Sequence, residues 1–174
     1  EVKYLKNIEM FHYPIVERLK AQIPVENVYL HATHSHTAPF VVHDAEGALE
    51  QEYYRIVYHK MADVAKFALE DLKPAKMGYG IGDAPNISFI RRFRMKDGSV
   101  MTNPGRLNPD IVEALGTPDN TVRLVRFKRA DKDIALVQFS SHPDCIGGTK
   151  YTADWPGAVR RTVEKDLPGV HCIL

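Results

Sequence analysis

Apolar residues recur at helical spacing over residues 8–23, where Met10, Tyr13, Ile15, Val16, Leu19 and Ile23 share a face. Pro24 follows and lacks the backbone donor that a continuing helix needs. Residues 27–32, Asn-Val-Tyr-Leu-His-Ala, form a short run rich in strand formers. The spacing predicts a second helix over residues 47–72, with Ile56, Val57, Met61, Val64, Ala65, Ala68 and Leu72 as its buried stripe and Lys73-Pro74 as its stop. Met77-Gly-Tyr-Gly-Ile81 alternates and reads as a strand whose glycines let another backbone approach closely. Lys96-Asp97-Gly98-Ser99 predicts a hairpin turn with arms at 91–95 and 100–102, because Asp-Gly accepts the positive φ angles of a two-residue turn. Residues 103–120 are rich in proline, glycine and asparagine, which predicts an irregular loop with one helical turn near Ile111-Val-Glu-Ala. A hairpin is predicted from the alternation of residues 121–127, the turn at 130–133 and the apolar run 134–139. A short helix over 156–167 with Asp154 at a capping position, then a strand after Pro168-Gly169, complete the pattern.

The order α, β, α, mostly β, then α and β indicates an α/β protein, with α+β as the alternative, built as a mixed sheet with flanking helices. At 174 residues and 44% hydrophobic, the chain suits one domain spanning residues 1–174. It opens on Glu1 without a methionine and stops inside the apolar run Val170-His-Cys-Ile-Leu174, so the expectation is a fragment of a larger catalytic domain, truncated at both ends. Lysine and arginine number 23 against 22 acids, a balance that points away from nucleic acid as a partner. No run approaches the ~18 apolar residues of a transmembrane segment. Cys145 and Cys172 have no CxxC spacing and read as free thiols. Neither composition nor motif specifies an oligomeric state or a compartment.

Functional side chains in open α/β sheets gather beyond the carboxyl ends of strands. His31-Ala-Thr-His34-Ser-His36-Thr-Ala-Pro39 lies at one such end and Ser140-Ser-His142-Pro-Asp144-Cys145 at another. Histidines at i and i+2 on extended backbone point to one face, so His34 and His36 can reach one cavity, and His142 can join them. Two readings are open: satisfied hydrogen bonds at a polar loop start, or a metal site, for which neutral imidazoles suit zinc. Asp144 and Asp154 offer oxygen ligands, although Asp154 before Trp155-Pro-Gly also reads as a helix cap. Strand alternation turns His31 to a different environment, His12, His43, His59 and His171 lack clustered partners, and all five read as structural. Arg91-Arg92 suits a carboxylate or substrate oxygen, or simple solvation. Cys145 near His142 suggests a thiol nucleophile but lacks a recognisable base and orienter.

Ala32-Thr-His34-Ser-His36-Thr-Ala-Pro39 resembles the Ala-Thr-His-Thr-His-Ser-Gly-Pro segment in the N-terminal catalytic domain of the neutral/alkaline non-lysosomal ceramidases. Phe139-Ser-Ser-His142 is similar to the later Phe-x-x-His segment of that family. The resemblance implies a zinc-dependent amide hydrolase acting on a small-molecule or lipid amide, N-acylsphingosine or another. It implies His34 and His142 as zinc ligands, the other two ligands beyond this chain, and His36 with Arg91 or Arg92 facing the substrate and stabilising the oxyanion. This segment alone is then expected to hold zinc poorly and to be inactive. Ala38-Pro-Phe-Val replaces the family's Gly-Pro-Gly-Gly, and its Asn-Arg-Ser segment has no clean counterpart around residues 89–94. Two other classes stand beside this one: a non-catalytic interaction or scaffold domain that keeps the fold, and a cysteine-dependent hydrolase using Cys145 and His142.

Overall fold

In the computed structural model, which describes residues 15–17, 19, 23–39 and 47–174, the chain divides into two units. The first comprises Glu1–Ala75 with Pro143–Asp166, the second Lys76–His142 with Leu167–Leu174.

The first unit is built around helix α1 (Ala48–Glu70), which starts after Gly47 without a side-chain cap and ends where the Asp71 N–H bonds to the Phe67 carbonyl. Tyr53, Tyr54, Val57, Tyr58, Met61, Ala62 and Ala65 face buried Ile15 and Leu19, with Ile23, Leu30 and Ala32 at the margin. The expected stripe therefore holds at Val57, Met61 and Ala65, whereas Ile56, Val64, Ala68 and Leu72 are exposed. Three tyrosines supply the missing apolar area, and one residue of helix is a turn of about 100°, enough to carry Ile56 and Val64 off the packed face. Of the helix expected over 8–23, residues 15–17 and 19 are helical and the Ile23 N–H bonds to the Leu19 carbonyl; the remainder lies outside the described residues.

The strand expected over 27–32 is not formed. A 3-10 turn occupies Val25–Asn27, and the residues after it have no ladder partner among the described residues. Their alternation survives: Val28, Leu30 and Ala32 are half-buried while Tyr29 and His31 are exposed. A period of two fixes which side chains turn inward, but a strand also needs a neighbour to bond. Helix α2 (Asp154–Asp166) completes this unit.

Seven strands make up the second unit: β1 (Lys76–Asp83), β2 (Arg92–Met95), β3 (Val100–Thr102), β4 (Ile111–Ala114), β5 (Thr121–Lys128), β6 (Asp133–Gln138) and β7 (Val170–Ile173). One mixed sheet has the order β1-β5-β6-β7, with β6 and β7 parallel and the other pairs antiparallel; a small antiparallel sheet has the order β3-β2-β4. Ala135 and Cys172 are register partners and both are buried, with Val170 beside them in the sequence of β7. The β5–β6 turn is pinned by Asp133, whose carboxylate accepts from Arg126 Nε at 2.8 Å and from the Arg129 N–H at 3.1 Å. The bond from Arg126, then that from Arg129, holds this acid below the usual carboxylate range. Gly98 at φ +81° turns β2 into β3, with Asp97 Oδ1 accepting the Ser99 N–H at 2.9 Å.

The helical turn expected at residues 111–114 is strand β4 instead, paired to β2 through Phe93↔Ala114 and Arg94↔Glu113. Four residues are too few for a period to separate helix from strand, and the free edge of β2 decides the matter. The class is mixed α/β, as the element order implied. No helix of the described residues is long and apolar enough to cross a membrane.

Candidate metal centre

Within the first unit, residues 34–37 alternate between half-buried histidines and buried hydroxyls. Ser35 and Thr37 are buried, and both hydroxyls donate to the Thr152 carbonyl, at 2.8 and 3.3 Å. The Thr152 N–H returns a bond to the Thr37 carbonyl at 3.4 Å. Buried hydroxyls need acceptors, and these bonds fix the strip so that His34 and His36 stay on its other side. Their rings meet edge to face, 5.0 Å between centroids at 81°. His34 has φ +63°, a left-handed conformation that costs a non-glycine residue of the order of 1 kcal/mol and collects at functional sites.

Behind His36, Asp144 Oδ1 lies 3.4 Å from Nδ1. A carboxylate there favours the proton on Nδ1 and leaves Nε2 as the acceptor atom of the ring, the arrangement of a metal ligand or a substrate-facing base. The His36 N–H bonds to the Pro143 carbonyl at 3.2 Å. Sequence reading missed Ser35 and Thr37 as anchors and Asp144 as the partner of His36. The first two were legible, since an alternating strip with histidines on one face puts Ser35 and Thr37 on the other.

Asp154 is not placed as an oxygen ligand. It is buried, and its carboxylate accepts the N–H groups of Cys145 (3.0 Å), Ile146 (2.9 Å) and Trp155 (2.7 Å), while its own N–H donates to Thr152 Oγ1 at 3.0 Å. It stands at φ +52° and ties the loop after Pro143 to the start of α2, an extended form of the expected cap. The exposed Cys145 has its thiol pushed up, first by desolvation and then by the negative charge of Asp154. A thiol held neutral is a poor nucleophile. Iodoacetamide at pH 8 is expected to alkylate Cys145 more slowly than free cysteine, as followed by mass spectrometry, with the rate climbing only above the ordinary thiol range. A rate above that of free cysteine would restore the cysteine-hydrolase reading.

In the second unit, the Arg91 guanidinium donates to His142 Nδ1 at 3.3 Å. Arg92, the next residue, pairs with Thr102 across β2 and β3 and takes no part in that contact. Thus the expected residues fall into two local pairs, His34 with His36 and Arg91 with His142. His31, His59 and His171 are exposed, and His12 and His43 lie outside the described residues.

These elements make up a fold found among ceramidases. The neutral ceramidase from Pseudomonas aeruginosa is similar over 93% of this chain with a TM-score of 0.59 and 22% identity, and a ceramidase complexed with C2 is similar over 93% with the same TM-score and identity. This chain spans 27% and 26% of the length of those two proteins. No family model matches the chain, and no curated protein matches it.

Proposed function

We propose that the chain forms part of the catalytic domain of a zinc-dependent amide hydrolase, with His34 and His142 as metal ligands and His36 with Arg91 facing a small-molecule or lipid amide. The observation that carries this reading is the backbone bond from His36 to Pro143 beside the edge-on His34 ring. Pro143 follows His142 directly, and successive Cα atoms are about 3.8 Å apart, so the second histidine segment joins the first at this bond. His34 and His36 belong to the first unit and His142 to the second. The ceramidase names of the two structural neighbours support the lipid amide as substrate class.

The residues fit a zinc ion, for which imidazole is a favoured donor, and Asp144 behind His36 orients that ring toward the substrate with Nε2 as its acceptor. Zinc held there would supply Lewis acidity toward an amide carbonyl and a lowered pKa for water, chemistry that suits hydrolysis of a C–N bond to a carboxylic acid and an amine. Arg91, with donors only, suits the developing oxyanion. The test is metal content and amidase activity of the intact protein, where about one zinc per chain is expected; none at saturating zinc would overturn the reading.

One step belongs to the chain itself. Arg91 can only donate, so the ring it meets uses its Nδ1 lone pair and carries its proton on Nε2. A neutral imidazole has a single such lone pair. If His142 ligates through Nδ1, Arg91 must leave; if through Nε2, the proton moves to Nδ1 and faces a donor. A ligating His142 would therefore give up its bond from Arg91 whichever nitrogen it used. Arg91→Ala is expected to raise the zinc affinity of the intact protein roughly tenfold in a chelator competition, since a charged hydrogen bond no longer competes. An unchanged or lower affinity would show that Arg91 and the metal do not share His142.

A further inference from the structure

We propose that a groove in the second unit binds an apolar chain that carries a carboxylate, recognised by Arg106 together with Arg91. The cavity measures about 410 Å³, and Phe89, Phe93, Leu107 and Ile111 supply its apolar wall while Arg91 and Arg106 supply its charge. None of its lining residues is acidic.

Three independent features mark the groove as built for a ligand. Phe89 is 75% exposed and Leu107 is 99% exposed, so the wall offers apolar area that the fold itself leaves in water. Leu107 and Asn103 both hold left-handed backbone, at φ +54° and +53°, so the loop keeps an exposed leucine in a strained conformation with no packing return of its own. Among the described residues Arg106 makes no hydrogen bond or ion pair, and the Arg91 side chain meets His142 Nδ1. Two guanidiniums beside an apolar wall, with no carboxylate among the described residues to satisfy them, are complementary to an external one, which arginine grips through paired donors.

Arg91 both lines this groove and reaches His142, and Phe93, two residues on, lines it too, while Arg92 between them does not. The groove thus lies one side chain from a proposed zinc ligand. That link rests on the function proposed above, and it narrows the substrate from any lipid amide to an acylated amine bearing a carboxylate, of the N-acyl amino acid type. Carboxylate recognition itself does not depend on the metal. The same chemistry is offered by a fatty acid released on hydrolysis.

The test uses the intact protein stripped of metal with a chelator, titrated calorimetrically with N-dodecanoylglycine, dodecanoate and the neutral dodecanamide. Both anions are expected to bind about tenfold or more tightly than dodecanamide, and Arg106→Gln to reduce that preference to about twofold. Arg106→Lys should keep part of it. Arg106 is exposed, so the variants test recognition rather than folding. Tighter binding of N-dodecanoylglycine assigns the groove to an acylated amino acid, and tighter binding of dodecanoate assigns it to the fatty acid; both uphold the carboxylate. Equal binding of the anions and the amide, or a preference that survives Arg106→Gln, would overturn the proposal. Failure of zinc binding with the preference intact would remove the catalytic reading and leave the groove standing.

Discussion

On the function proposed above, His34→Ala in the intact protein is expected to abolish stoichiometric zinc and to lower amide hydrolysis on the order of a thousandfold or more, because losing the proposed ligand would remove several kcal/mol of charge stabilisation in the transition state. His31→Ala is the matched control. His31 is exposed, three residues away and not a proposed ligand, and its loss should leave zinc content and rate unchanged. Zinc content by elemental analysis and hydrolysis of an acyl amide separate the readings. A His34→Ala protein that retains both would return the histidines to hydrogen-bonding duty in a scaffold domain. Ser35 and Thr37, not the ring of His34, hold the strip to Thr152, so the variant should fold and lose only its chemistry.

The second large effect is on stability. Asp154→Ala strands three backbone N–H groups, those of Cys145, Ile146 and Trp155, which now share one buried carboxylate. Cys145 and Ile146 are exposed, so water can take over part of their two bonds, and a total loss of about 2 kcal/mol is expected, a fall in melting midpoint of roughly 6 °C. Asp154→Asn keeps an acceptor oxygen and should fall between the two. Circular dichroism melts give the order directly; an unchanged midpoint for Asp154→Ala would show that the loop does not depend on this residue.

Much of the second unit could be read from residue order alone. Alternation over residues 121–127 and 134–139 corresponds to β5 and β6 in the register Leu124↔Val137 and Val125↔Leu136, and the Asp-Gly pair corresponds to the turn between β2 and β3. These elements bond to their nearest neighbours in sequence, so local pattern and tertiary pairing agree. Where the partner is distant, the pattern was insufficient. β4 is a strand because β2 presents an edge, and residues 28–32 are not one because no described edge is offered. The face of α1 depended on three tyrosines whose aromatic area outweighs the branched aliphatics in the register. For the candidate site, the i, i+2 spacing marked His34 and His36 as a pair, and the end of an apolar run marked His142. Asp144 and Arg91 stood out as candidates, but their pairing with those rings was not legible, because it rests on side-chain geometry that no spacing rule encodes.

The hydroxyls of Ser35 and Thr37 close on a carbonyl more than a hundred positions later, at separations of 117 and 115 residues. Closing a loop of that length costs about 4 kcal/mol of chain entropy before any bond is gained, so this clasp belongs to the last steps of folding. During synthesis the first histidine pair leaves the ribosome well before its anchor exists, and everything from Lys76 to His142 must be made in between. Until Thr152 emerges, the pair is an unanchored strip on a nascent chain, so the order of translation itself delays the moment at which Ser35 and Thr37 can be held in place.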